Sequence, residues 1–210
     1  MITERPLDTF LSDLASGSPT PGGGSAAAVL GAMGAALVSM VCNVTLGRKG
    51  QEAVAPEITA VRAESETLRR RLTAMVAADV AAFDGLMAAY RLPKLEEADK
   101  SRRAEAIEIN LRAATEAPLE CARACAEVIA LAKRVAACGY LGVISDAGVG
   151  VLAAHAALRS AALNVYINVP SLKDRTFASL ATAEIEKLLD HGAVETEAVF
   201  ALVRDKLGKP

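Results

Sequence analysis

The sequence predicts an all-α protein, a single-domain multi-helix bundle, from three observations. Hydrophobic residues make up 52% of the 210 residues but aromatic residues only 3%, which favours closely packed helices over a β-sandwich. Apolar residues recur at intervals of three and four along most of the chain, and no segment forms a credible sheet. A long run of small residues, 26–46, carries no charge. We therefore expect one domain over residues 1–210, with a central Ala/Gly-rich helix and two long antiparallel helices.

The central helix is predicted from Ala26 to Leu46, after a Pro-Thr-Pro turn and a glycine hinge formed by Gly22, Gly23 and Gly24. Small residues lie on one face of this helix and predict a close crossing with a neighbour. They are Ala28, Gly31, Ala35, Ser39 and Cys42. Larger residues elsewhere on its surface predict that this helix is buried on nearly all sides. A membrane span is less favoured, because the run is rich in Ala and Gly and includes polar residues.

The glycine hinge allows two interpretations. Its backbone N–H groups at a helix N-terminus would favour an anion. Alternatively, the glycines only permit a tight turn. The hinge is not a Walker loop, since no Gly-Lys-Ser/Thr follows, and it lacks the third glycine and preceding strand of a dinucleotide fingerprint.

Two long helices are predicted by apolar steps over 58–90 and 107–135. Pro118 should kink the second helix because proline removes a backbone donor. Asp79 falls on or beside the apolar stripe of the first helix, where a carboxylate is costly unless it is paired or faces a cavity. Asp79 is therefore a candidate functional residue. The alternatives are a stripe edge where it reaches solvent, or a structural partner such as an arginine on a neighbouring helix.

The charged segment 95–103 is predicted to be a solvated turn. Gly139 should end the second long helix, and Ser145 or Asp146 should cap the next one. That helix carries Asn164 and Asn168 on a small-residue face. Two amides there indicate either polar recognition or bonds to a neighbouring helix.

Asp174 is predicted to cap a further helix, which Gly192 should end. A last amphipathic helix follows. Both helices are expected to be packing elements with solvated charged faces.

Composition excludes several classes of function. The net charge of −2 gives no reason to expect nucleic acid as a partner. The N-terminus has no signal-peptide pattern, so we expect a cytoplasmic protein without membrane association. The four cysteines and two histidines match no zinc spacing, so we expect no metal. The cysteines are expected to be small buried residues in a reducing compartment.

Three sets of motifs occur in order along the chain. They are PTPGGGSAAA at 19–28 with MGAALVSM at 33–40, DVAAF at 79–83 with RLPK at 91–94, and SD at 145–146 with ALNVYIN at 162–168. Together they resemble the cyclodeaminase/cyclohydrolase family that acts on tetrahydrofolate, over about residues 10–178. One departure is Tyr140, since these relatives carry Gly-Asn where this chain has Gly139-Tyr140. The difference bears on substrate specificity if that position touches substrate.

The resemblance implies a function in one-carbon metabolism. It is closest to stand-alone methenyltetrahydrofolate cyclohydrolases, which convert 5,10-methenyltetrahydrofolate to 10-formyltetrahydrofolate. One alternative is a formimidoyltetrahydrofolate cyclodeaminase that releases ammonia, and another is a non-catalytic folate-binding or helix-interaction module. The resemblance also implies a homodimer with sites near the interface, and no metal or redox cofactor.

The resemblance and the chemistry together suggest roles for particular residues. Asp79 and Asp146 are candidate catalytic carboxylates, and Lys94 is a candidate donor or proton carrier. The pterin ring is expected at Asn164 and Asn168, and the glutamate tail at the hinge with Arg48 and Lys49. The complete set of substrate-binding candidates is Pro21, Gly22, Gly23, Gly24, Ser25, Arg48, Lys49, Phe83, Asn164 and Asn168.

Overall fold

A computed structural model describes residues 6–208. Over this range the chain forms six α-helices and no strand, which confirms the all-α prediction. The helices are α1 (Leu7–Leu14), α2 (Gly23–Leu46), α3 (Ala55–Tyr90), α4 (Glu97–Cys138), α5 (Ile144–Asn168) and α6 (Arg175–Leu207). From α2 onward, the loops between helices are short and consecutive helices pack beside one another.

Helix α2 lies at the centre and packs mainly against α3 and α5, with α4 behind. Its predicted small-residue face is buried. A Cβ at Gly31 would lie 2.8 Å from Cys125 Sγ of α4, and a Cβ at Gly34 would lie 2.8 Å from the Gly150 carbonyl oxygen of α5. These glycines therefore permit the close crossings that the sequence predicted.

The long helices α3 and α4 run antiparallel, as two ion pairs at different heights show. Arg71 of α3 pairs with Glu120 of α4, and nearer the other end Glu57 pairs with Arg134 at 2.7 Å. Helix α4 continues through Pro118 without interruption. Its first turn begins at Glu97, so the predicted solvated turn over 95–103 was wrong for most of that segment.

The prediction that α2 is buried nearly all round was also wrong, because Met33 is 54% exposed. One apolar strip on α2 is left uncovered beside an apolar strip on α5. We call this surface the α2–α5 face. It consists of Leu30, Met33 and Leu37 from α2 with Val149, Ala156 and Leu163 from α5, none of which is fully buried. Exposed apolar patches of this kind often mark contact surfaces.

Two predicted helix boundaries after α4 were wrong. Helix α5 begins at Ile144 with Val143 in the N-cap position, so Ser145 and Asp146 lie within its first turn. Helix α6 continues through Gly192 instead of ending there. A Cβ at Gly192 would lie 2.6 Å from Leu158 Cδ2, so this glycine serves the packing of α6 on α5.

Other predicted boundaries were correct. Gly139 occupies the C-cap position of α4, and Asp174 caps α6 by accepting a hydrogen bond from the Phe177 N–H at 2.9 Å.

Three stretches within residues 6–208 are long and apolar enough to cross a membrane, judged by length and composition alone. They are Gly23–Leu46, Glu52–Tyr90 and Leu141–Ser171. The absence of membrane association stays a prediction.

Candidate active site

A cleft opens where the N-terminal end of α2 meets α3, α4 and the C-terminal end of α5. It consists of two adjoining cavities. The wide cavity, of 340 Å³, reaches from the glycine hinge to Asn164 and Asn168, and the narrow cavity, of 250 Å³, lies between α2, α3 and α4. Both are lined by Gly24, Asp79 and Pro118, so these residues mark the junction.

The Asp79 carboxylate of α3 is fixed at this junction. Ser25 Oγ donates a hydrogen bond to Asp79 Oδ2 at 2.8 Å. The other carboxylate oxygen lies directly against Gly24, where a Cβ would be only 2.6 Å from Asp79 Cγ. No residue in the described range forms an ion pair with Asp79. Asp79 is thus a half-buried carboxylate held by a serine and a close backbone.

This contact gives the glycine hinge a specific purpose. Gly22 is the extended N-cap residue of α2, and Gly23 and Gly24 form the first turn. The helix N-terminus favours a nearby negative charge, and Asp79 supplies one from the protein itself. The absence of a side chain at Gly24 is what lets this carboxylate approach so closely.

Pro118 explains the hydrogen bond that the Asn168 amide makes. Proline has no N–H, so it cannot donate the helical hydrogen bond to the Ala114 carbonyl. Asn168 Nδ2 donates to that carbonyl at 2.8 Å and thereby joins the end of α5 to α4. Asn168 therefore has a structural partner at the wall of the wide cavity.

Asn164 is held within its own helix, where Nδ2 donates to the Ser160 carbonyl at 2.9 Å. Its amide lies beside Gly23. An asparagine amide offers two donors and one acceptor, so both Asn164 and Asn168 keep hydrogen-bonding capacity toward the cavity. Substrate recognition by these two residues stays a prediction.

The structure adds a carboxylate that the sequence reasoning missed, Glu120, which lines the narrow cavity. Arg71 of α3 and Arg123 of α4 each donate to one of its oxygens. Partial burial acts to raise the pKa of Glu120, but these hydrogen bonds outweigh it and hold the pKa below its usual value. Glu120 stands in a helix rich in charged residues, so its spacing gave no signal; its position two residues after Pro118 was the only hint.

One further predicted residue lines the wide cavity, and two do not. Phe83 lines it, four residues after Asp79 on α3. Pro21 is buried in the turn that leads to the hinge. Lys94 is exposed in the loop after α3 and lines neither cavity.

Arg48, Lys49 and Asp146 lie far from the cleft of the same chain. A helix of 24 residues such as α2 is about 36 Å long, which separates Arg48 and Lys49 from the hinge. Asp146 is in the first turn of α5, whereas Asn164 and Asn168 are in its last turns. At this far end the Arg48 guanidinium lies 4.7 Å from the centre of the Tyr140 ring. The structure of a single chain does not test the predicted roles of these residues, so the roles stay predictions.

The geometry defines an all-α protein with a largely apolar cleft that bears carboxylates, the kind of site that binds small organic ligands. The chain belongs to the formiminotransferase-cyclodeaminase family, whose model matches residues 6–187. This confirms the family resemblance of the motifs.

Individual relatives agree with this assignment. A methenyltetrahydrofolate cyclohydrolase from Methylorubrum extorquens is 52% identical over 207 residues, covering 99% of this chain and 100% of the relative. A formimidoyltransferase-cyclodeaminase from Sus scrofa is 35% identical over 98% of this chain, which spans 37% of the pig protein. The crystal structure of a formiminotetrahydrofolate cyclodeaminase from Thermotoga maritima superposes with a TM-score of 0.82 and 27% identity, covering 99% and 98% of the two chains.

Proposed function

We propose that this protein hydrolyses 5,10-methenyltetrahydrofolate to 10-formyltetrahydrofolate. The relative that matches over its whole length is a cyclohydrolase. The observation that carries the mechanism is the position of Asp79, a carboxylate without an ion-pair partner among residues 6–208, at the junction of the two cavities. The substrate brings the missing positive charge in its N5–C–N10 amidinium bridge.

In the proposed reaction, water adds to the bridging carbon and passes one proton to Asp79. As the bond between the bridging carbon and N5 of this neutral adduct breaks, the hydroxyl oxygen on the carbon gives up its proton and forms the carbonyl double bond. N5 takes up a proton, and the formyl group remains on N10. The sum is one cation and one water giving one neutral product and one proton. General-base catalysis of this kind contributes about a hundredfold to ten-thousandfold. Ser25 keeps the carboxylate oriented.

Neither a metal nor a redox cofactor enters this proposal, because hydration of a cationic amidine is neither a redox reaction nor one that needs further activation of the carbon. The proposal also includes a cytoplasmic location for the protein.

A second candidate function is cyclisation of 5-formimidoyltetrahydrofolate with release of ammonia. It is favoured by the cyclodeaminase relatives and the fold shared with the Thermotoga maritima structure. The same Asp79 would then lie beside the carbon that N10 attacks. A third candidate, a folate-binding module without catalysis, has no specific observation in its favour.

The proposal includes a homodimer formed through the α2–α5 face. This strip lies beside the cleft and is mostly apolar, with the exposed Arg159 between Ala156 and Leu163 on α5. Covering it would remove exposed leucine, methionine and valine side chains from water. Dimers with a twofold axis bury the same patch on both chains, so a self-complementary apolar strip suits them.

The negative charges that line the cleft favour one orientation of the partner subunit. The side chains that line the two cavities include Asp79 and Glu120 but no lysine or arginine of the described residues. A folate substrate also carries an anionic glutamate tail. A twofold axis perpendicular to α2 would bring Arg48 and Lys49 of the partner subunit toward the cleft, together with Asp146 of the partner subunit. The residues that one chain separates would then form one site.

The activity is tested by following the loss of methenyltetrahydrofolate absorbance at slightly acid pH, where background hydrolysis is slow. Acceleration by the protein supports the cyclohydrolase. No acceleration, with ammonia released from the formimidoyl substrate, would establish the cyclodeaminase. Binding of both folates without turnover of either would leave the binding module.

The split site is tested by mixing two inactive variants, Asp79→Asn and Asp146→Asn, after co-refolding. Each mixed dimer would hold one site with both carboxylates, so about a quarter of wild-type activity should return. No recovery, although purification through a different affinity tag on each variant shows mixed dimers, would refute the shared site.

The dimer itself is tested by Met33→Glu, which places a charge in the α2–α5 face, with Val194→Glu on exposed α6 as the matched control. We expect the first variant to be monomeric and the second to be dimeric, as measured by sedimentation. A monomeric wild type that binds anionic lipid vesicles would refute the dimer and indicate a membrane-contacting face.

A further inference from the structure

The structure points to an orientation of the substrate that differs from the one expected from the sequence, in which the pterin ring lies at Asn164 and Asn168. We propose that the pterin end of the folate enters the narrow cavity and that Glu120 recognises it there, while the p-aminobenzoyl-glutamate end lies in the wide cavity. This inference rests on the proposed function and deepens it. Glu120 becomes a specificity residue, distinct from the catalytic Asp79.

The first argument is the division of the cleft. Its two cavities meet at Gly24, Asp79 and Pro118. The substrate has the same division, since its two halves are joined at the N5–C–N10 bridge that reacts. When each half occupies one cavity, the reacting carbon lies at the junction, beside the Asp79 carboxylate.

The second argument is the character of the narrow cavity. Its walls are mostly small and apolar, including Ala27, Ala78 and Ala117, with the longer Met75. Such walls suit a flat bicyclic ring. The glutamate tail, with its negative charges, is disfavoured here because Glu120 is itself a carboxylate in this cavity.

The third argument is the state of Glu120. Arg71 and Arg123 each hold one of its oxygens, and its side chain is 38% exposed, so it is fixed but still accessible. An ionised carboxylate offers about four lone-pair sites, and the arginines leave part of that capacity open. The pyrimidinone edge of a pterin presents two parallel donors, the 2-amino group and N3–H. Paired donors of this kind match a carboxylate.

The reverse orientation is less favourable on the same grounds. Asp79 is the one carboxylate among the described residues lining the wide cavity, and it already lies at the junction. Asn168 uses one donor on the Ala114 carbonyl. A pterin in the wide cavity would therefore find no second carboxylate, and the glutamate tail would face Glu120.

The test compares Glu120→Gln with a matched control, Glu127→Gln. Glu127 also pairs with Arg71, at 3.1 Å, but does not line the narrow cavity. Binding of two fragments, 6-methyltetrahydropterin and p-aminobenzoyl-L-glutamate, is measured by calorimetry on the full-length chain. Turnover of methenyltetrahydrofolate gives kcat and KM for the same proteins.

We expect Glu120→Gln to weaken the pterin fragment about tenfold or more while changing p-aminobenzoyl-glutamate binding less than about twofold. KM should rise by a similar factor with kcat nearly unchanged, and Glu127→Gln should match wild type. Equal weakening of both fragments, an effect on p-aminobenzoyl-glutamate alone, or no effect would overturn the orientation while wild-type turnover upholds the proposed function. Absence of wild-type turnover of either folate overturns the proposed function itself, and the orientation with it.

Discussion

Asp79 and Glu120 line the same narrow cavity but are held in different ways. Glu120 is bound by two arginines, so its charge is already matched within the protein. Asp79 is bound by the Ser25 hydroxyl and lies against the first turn of α2, with no ion-pair partner among residues 6–208. Two carboxylates in one cleft therefore offer different chemistry. A matched carboxylate can accept hydrogen bonds in a fixed direction, whereas an unmatched one attracts a cation and can accept a proton.

The largest effect is expected from Asp79→Asn, which removes the unmatched charge. Turnover should fall about a hundredfold to ten-thousandfold, because the amide neither attracts the amidinium nor accepts a proton from water. The fold should persist, since Ser25 can still donate to the amide oxygen. Initial rates and circular dichroism measure both effects, and a variant with wild-type rates would remove Asp79 from the mechanism.

Gly24→Ala should displace the Asp79 carboxylate while leaving both Asp79 and Glu120 in the cleft. Its new Cβ would overlap the Asp79 carboxylate and push it away from Ser25. A misplacement of about 1 Å can cost roughly a hundredfold in rate, and we expect a loss of that order in kcat. Gly17→Ala is the control, because a Cβ at Gly17 meets nothing within 4 Å. Equal rates in both variants would show that the contact at Gly24 has no catalytic importance.

Asn168→Ala tests the hydrogen bond that joins α5 to α4 at the wall of the wide cavity. It leaves the Ala114 carbonyl without the hydrogen bond that replaces the one lost at Pro118. We expect unfolding free energy to fall by about 1–3 kcal/mol, measured by urea denaturation. In Asn164→Ala the loss should be smaller, because the Ser160 carbonyl lies within a regular helix. The reverse ranking would mean that Asn164 is the more important structural amide.

The smallest effect is expected at acid pH, where protonation of the arginine-paired carboxylates Glu120 and Glu184 should lower the stability of the fold. Hydrogen bonds from Arg123 lower the pKa of Glu184, and those from Arg71 and Arg123 outweigh burial to lower the pKa of Glu120, both from an ordinary 4.5. Because the folded-state values are lower, this stabilisation is complete above the unfolded value and is lost as pH falls through the folded ones. For such partly exposed pairs we expect about 1 kcal/mol.

Urea midpoints at about pH 6 and about pH 3 measure this loss, with Arg123→Gln as the comparison. The variant should lose less stability on acidification than wild type. An equally steep loss in the variant would show that other carboxylates cause the acid sensitivity.

Local sequence patterns predicted much of the cleft. The three glycines before an uncharged helix located the hinge, and the interruption of an apolar stripe located Asp79; the structure brings the two together. Glu120 could not be found this way, because a glutamate among many charged residues of α4 looks like a solvated surface position. Its importance depends on which helices pack beside it, and that information is not local.

Arg48 and Asp146 show a different limit of prediction from the sequence. Family resemblance grouped Arg48 and Asp146 with the cleft, although helix length alone places Arg48 about 36 Å from the hinge in one chain. The error at Gly192 has a packing cause. Glycine usually marks a helix end, but the packing of Gly192 against Leu158 overrides that preference.

The close approach of Gly34 to the Gly150 backbone has a consequence for assembly. Two helices whose backbones are this close lose van der Waals contact when they slide or tilt, so α2 and α5 are expected to act as one rigid plate. The side chains of the α2–α5 face are therefore arranged in advance of any encounter. A second chain that docks on this plate would give up little conformational entropy, and a modest contact area could suffice to hold the two together.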